Sequence, residues 1–114
     1  MSQAIAFAAP LLPGKTDADR AAMASISGGE RTDAHRASRE RHGITRESAW
    51  IQSTPQGDFA VVLIEADDVN SAMAGIAASE DPFDVWFRDH IADVHGMDVT
   101  EGPPPLEQVL DFRA

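Results

Sequence analysis

The chain contains no cysteine, and its 114 residues carry only nine lysines and arginines against nineteen aspartates and glutamates. The first absence excludes disulfides, thiolate metal ligands and a thiol nucleophile. The second leaves a net charge of −10, which repels a phosphate backbone, since nucleic acids are bound by Lys/Arg stripes that displace counterions. Arg36, Arg39, Arg41 and Arg46 are also interleaved with acids, so nucleic acid is not an expected partner. Long apolar runs are missing too: nothing approaches the roughly 18 to 20 residues of a membrane helix. The apolar opening, residues 1–13, holds no basic residue before Lys15 and is interrupted by Pro10. It reads as a first strand rather than a secretory leader. A cytoplasmic setting without membrane association is the expectation.

The hydrophobic fraction of 43% and charged fraction of 25% are those of a soluble globular protein. At this length one domain, residues 1–114, buries roughly two-thirds of its unfolded surface. Residues 3–9 are the opening strand, closed off by Pro10 and Pro13. Thr16 has the side chain of a helix N-cap, and Asp17 and Asp19 suit the positive end of the helix dipole. Helix-forming sequence runs on to His42, interrupted by Gly28-Gly29. Each glycine costs about 1 kcal/mol relative to alanine in a helix interior, so a kink or break is expected there. Ala18, Ala22 and Ile26 give the buried face before the break, and Ala34, Ala37 and Ser38 the face after it. His42-Gly43 stops the helix, a cation in the last turn followed by a residue at ease in the left-handed region.

Residues 43–53 and 59–66 read as two strands around Thr54-Pro55-Gln56-Gly57-Asp58. Pro55 fits position i+1 of a type I turn, and Gly57 the left-handed position of a three-residue loop. A helix rich in small residues follows over 67–79. Asp81 caps the next helix, Pro82 occupies its first position, where no N–H is required, and Gly96 ends it. Gly102-Pro103-Pro104-Pro105 is a stiff connector, and 108–112 a final strand. The order β-α-β-β-α(α)-β is the split βαβ, or ferredoxin-like, α+β arrangement with a four-stranded antiparallel sheet. Its helices suffice for one face of that sheet, yet Val61-Val62-Leu63-Ile64 is apolar on both faces. An antiparallel sheet half in water would alternate. A second copy is the simplest cover, giving a homodimer through the sheet face.

This order, the apolar hairpin and two segments, His-Gly-Ile-Thr-Arg-Glu-Ser-Ala-Trp at 42–50 and Asp-Pro-Phe-Asp-Val-Trp-Phe at 81–87, resemble the dimeric α+β barrel superfamily. Within it the chain is most similar to small uncharacterised bacterial proteins that carry both segments. The resemblance implies a sheet-to-sheet dimer. Relatives with assigned roles include cofactor-free quinone-forming monooxygenases, haem-degrading enzymes, lactone isomerases and stress-response proteins. None of their catalytic motifs matches positions here.

Three candidate catalytic residues emerge, His90, Glu65 and Glu47. His90 interrupts the apolar stripe 83, 86, 87, 91, 94 and falls on the core side of its helix. It is either a hydrogen-bonded core histidine or a base in a cavity between helix and sheet. A three-residue loop sets Glu47 opposite Glu65, a carboxylate pair in which one pKa rises; a four-residue loop sets Arg46 there instead, an ordinary salt bridge. Glu65 and His90 together would make an acid–base pair. Trp50, Trp86, Arg46 and Phe83 are the candidate ligand-binding residues for a flat apolar or aromatic molecule. The leading expectation is a cofactor-independent monooxygenase or isomerase; the alternative is a non-catalytic dimer that binds a metabolite or protein. Haem on His90 is a weaker third option. His35 and His42, with Arg39 between them, read as a solvated helix face. No histidine pair has the i,i+4 spacing of a helical zinc site, and no metal is expected. The stretch 9–16 ends in Gly-Lys-Thr like a phosphate loop, but Ala9 stands where its first glycine belongs, and two prolines remove the N–H donors it needs.

Overall fold

The computed structural model describes residues 2–101 and 107–114. Strand β1 (Gln3–Pro10) leads into helices α1 (Thr16–Gly28) and α2 (Thr32–Arg41). A hairpin of β2 (Ile44–Thr54) and β3 (Gly57–Ala66) follows, then α3 (Val69–Ala78), α4 (Pro82–His95) and a 3-10 turn at Val99–Glu101. The strands form one antiparallel sheet in the order β1-β3-β2. The four-stranded, ferredoxin-like βαββαβ layout expected from the sequence is therefore not the fold. Residues 107–114 hold no regular structure, and Val109, Leu110 and Phe112 are exposed. The pattern at 108–112 favours an extended backbone, but a strand persists only where a neighbouring edge takes up its hydrogen bonds. The connector expected at 102–105 lies outside the described residues.

Local sequence accounts for most element ends. A Cβ on Gly29 would lie 2.8 Å from the Ser25 Cα, so only glycine permits the chain to fold back there, with the Arg31 N–H donating to the Ser25 carbonyl at 2.8 Å. The helix expected over 16–42 is accordingly two helices. Thr16 is not a cap: it is the first residue of α1, and its hydroxyl donates to Asp58 on the hairpin at 2.7 Å. Gly43 (φ 75°) and Gly96 (φ 66°) end α2 and α4 in the left-handed region. At the start of α4 the Asp81 carboxylate accepts the Phe83 N–H at 3.0 Å, and Pro82 follows the cap.

The hairpin closes on a two-residue turn, Pro55-Gln56, with Thr54 paired to Gly57, rather than on the three-residue loop. That register sets Arg46 opposite Glu65 and Glu47 opposite Ile64, with an irregularity between Ile44 and Arg46. Because side chains alternate along a strand, one residue of register decides which face each occupies. Glu47 falls on the face that packs against the helices; Arg46 and Glu65 fall on the other. The core joins Ile44, Ile64 and Ala66 of the sheet to Val69, Ala72 and Ile76 of α3, with Phe7, Val62 and Phe87 packed around them. The opposite face presents Ala4, Ala6, Ala8, Val61, Leu63 and Trp50, and Trp50 is 53% exposed.

Candidate functional site

Between the helix-facing side of the sheet and α1, α3 and α4 lies a cavity of about 110 Å³. Apolar side chains make most of its wall, among them Phe7, Ala60, Val62, Met73, Phe87 and Ile91. Four titratable groups border it: Asp19, Arg39, Glu47 and His95. An apolar cavity of roughly 150 Å³ holds a benzene, so this one suits a small ring or a branched chain of a few carbons. Ala49, on the wall but exposed, marks its mouth.

One end of the cavity is closed by a polar network that α2 contributes. His35, Ser38, Arg39 and His42 recur at i, i+3, i+4 and i+7 and therefore share a face. That face points inward, which corrects both the solvated face expected for the two histidines and the buried face expected for Ala34 and Ala37, which are exposed. Arg39, only 5% exposed, grips Glu47 with two bonds, Nε to Oε1 at 2.9 Å and Nη2 to Oε2 at 3.1 Å. His35 donates to the same carboxylate from Nε2 at 2.6 Å. Burial pushes the Glu47 carboxyl up, but the hydrogen bonds from His35 and Arg39 and their charges outweigh it and hold the pKa at about 2. Glu47 is thus a fixed carboxylate with both oxygens engaged, an anchor rather than a proton acceptor.

The network continues to Asp84 in the first turn of α4, which is wholly buried. Ser38 donates to it at 2.5 Å, His42 from Nε2 at 2.9 Å and Arg41 at 3.3 Å. Burial raises the Asp84 pKa; the bonds from His42, Ser38 and others overcome this and set it well below the ordinary carboxylate range. The position in the positive end of the helix dipole favours the anion further. Arg39 also donates to Ser38 at 3.0 Å, so Glu47 on the sheet and Asp84 on α4 are joined through α2. The Arg39 guanidinium lies over the Phe87 ring, 4.5 Å from its centroid. Among the described residues no buried side-chain polar atom lacks a partner.

The residues singled out in the sequence divide into three groups. Glu47 lines the cavity. Phe83, Trp86 and His90 form a row along α4, Trp86 tilted against Phe83 with centroids 5.6 Å apart and stacked on His90 at 5.5 Å, and Arg31 lies 4.0 Å over Trp86. His90 does not reach the cavity: its Nε2 donates to Asp19 at 2.8 Å, and it is Asp19 that forms part of the wall. With that nitrogen taken, the haem option has no support from the geometry. Trp50, Arg46 and Glu65 sit on the opposite face of the sheet, where Arg46 and Glu65 form a 3.6 Å ion pair. The Glu65–His90 pair and the Glu47–Glu65 pair are consequently not brought together. The residues that sequence reasoning missed are Asp19, His35, Arg39, Asp84 and His95. The polar repeat on α2 was the available signal, in a helix with no apolar stripe to bury.

No group of three or more His, Cys, Asp or Glu among the described residues is arranged to hold a metal ion, and no described helix is long and apolar enough to cross a membrane. No protein-family model matches the chain, and no curated protein matches it. The resemblance noted above thus rests on the segments 42–50 and 81–87 alone, and the functional reading on the cavity.

Proposed function

We propose that the chain binds a small apolar, aromatic-sized molecule in the helix–sheet cavity and acts on it without a cofactor, in the manner of a monooxygenase or isomerase. The observation that carries this reading is an apolar cavity with ionisable groups confined to its border, the composition of small-molecule sites generally. Equilibrium dialysis and thermal shift with quinols and related phenols test it. Saturating ligand should raise the melting temperature, since about 2.7 kcal/mol accrues at a hundredfold excess over Kd. Ala49→Phe, which fills the mouth, should abolish the shift. No shift with any ring compound, or an equal shift in Ala49→Phe, would overturn the reading.

The working unit of this proposal is a homodimer in the cytoplasm, formed through the open sheet face. The contiguous apolar surface of Ala4, Ala6, Ala8, Val61, Leu63 and Trp50 supports it, because patches of this kind mark interfaces. Sedimentation should give a dimer at micromolar concentration and Trp50→Arg a monomer that still folds; a wild-type monomer would refute the assembly. A non-catalytic metabolite-binding dimer is the second reading, favoured by the engagement of Glu47, Asp84 and His90 in fixed pairs.

A further inference from the structure

Of the four titratable groups on the cavity wall, three are already committed. Glu47 and Arg39 hold each other, and Asp19 accepts from His90. His95 differs. At the last position of α4, its Nδ1 lies 2.7 Å from the Pro10 carbonyl oxygen. A carbonyl only accepts, so Nδ1 carries the hydrogen, and in the neutral ring Nε2 keeps the lone pair. The other three histidines each face a carboxylate, Glu47, Asp84 or Asp19; among the described residues His95 forms no ion pair. The fold therefore sets one histidine of fixed tautomer, with a basic nitrogen not engaged by any of the described residues, at the edge of an apolar chamber.

We propose that His95 accepts the proton of a ligand hydroxyl, and that the ligand is a phenol or enol acidified by an electron-withdrawing group. This rests on the cavity-binding reading above. In the step the ligand O–H bond breaks, the proton forms an N–H bond at His95 Nε2, and the electron pair stays on the ligand oxygen; nothing is oxidised or reduced. The imidazolium so formed still donates from Nδ1 to Pro10, through a bond strengthened by its charge. The ligand class follows from matching acidities. An imidazole is a weaker base than an ordinary phenolate, so an unactivated phenol would hold its proton. A carboxylic acid would arrive already ionised, with no hydroxyl proton to give, and would meet the Asp19 and Glu47 carboxylates on the same wall, whose Arg39 is already held by Glu47.

The probe is 4-nitrophenol, yellow when ionised, in buffer below its own pKa. Dialysis measures the amount bound to wild type, His95→Asn and Ala49→Phe, and absorbance of the bound fraction measures ionisation. Asparagine keeps an N–H for Pro10 and removes the basic nitrogen. Wild type should hold the probe as phenolate. His95→Asn should hold it in comparable amount with phenolate absorbance per bound probe lowered about tenfold, the equivalent of one pKa unit. Neutral probe bound to wild type, or phenolate undiminished in His95→Asn, overturns the role of His95 and leaves the cavity reading standing. No uptake by wild type, or uptake undiminished in Ala49→Phe, removes the cavity reading and this inference with it. Should His95→Asn fail to fold, the wild-type spectrum alone decides.

Discussion

Replacing Glu47 by glutamine keeps the side chain's length and one acceptor oxygen but removes the charge that Arg39 and His35 address. The carboxyl is held at about 2 in the folded protein against an ordinary 4.5. At about 1.4 kcal/mol per pKa unit the difference amounts to about 3 kcal/mol of stability at neutral pH. An independent route gives a similar figure: the variant leaves the Arg39 guanidinium, 5% exposed, with only Asp84 at 4.0 Å as a counter-ion, and breaking a buried pair on one side costs about 3 to 5 kcal/mol. The pH dependence has a definite sign. A depressed carboxyl pKa contributes stability that is complete above the unfolded value of 4.5 and is lost as pH falls towards about 2. By pH 3 about 2 kcal/mol of the Glu47 contribution should be gone. Urea unfolding at pH 7 and pH 3, followed by tryptophan fluorescence, measures both effects. Glu47→Gln should be about 3 kcal/mol less stable than wild type at pH 7, and the gap should narrow to about 1 kcal/mol at pH 3. A gap below about 1 kcal/mol at pH 7, within the range of exposed ion pairs, or one that does not narrow in acid, would refute the reasoning.

Gly75→Ala should act through His42, because the added Cβ would lie 2.6 Å from its Nδ1, driving the ring off Asp84. A loss of about 1 to 3 kcal/mol is expected, and a double-mutant cycle with His42→Ala should show the two effects to be non-additive. Glu65→Ala removes an exposed ion pair with Arg46 and should cost under about 1 kcal/mol; a loss near that of Glu47→Gln in the same urea assay would mean that the register is wrong. Deleting residues 107–114, which carry no regular structure and are exposed throughout, should leave the urea midpoint unchanged, as surface changes away from packed features stay within about 0.5 kcal/mol. A clear drop in the midpoint would show that the segment pairs with the sheet.

Features that depend on neighbours in sequence could be read from the chain alone. Asp81-Pro82 with Gly96 bounds α4, the double glycine ends α1, and the short continuous apolar run of β3, rich in β-branched residues, marks a strand, because caps, backbone freedom and strand propensity act within a few residues. The hairpin could be read but its register could not: two-residue and longer loops around Pro55 are locally comparable, and one step of register exchanges Glu47 for Arg46 on the helix side. The final strand expected at 108–112 does not form because the segment, which has the residues of a strand, pairs with neither edge of the sheet, a fact that lies outside the segment. The site was hidden for the same reason. His35, Arg39 and His42 look like a face for water, since the usual residue in a core is apolar. Only the approach of Glu47, twelve residues beyond His35, and of Asp84, 46 beyond Ser38, makes that polar face the buried one. Tertiary structure decided it by supplying the opposite charges that a buried guanidinium requires.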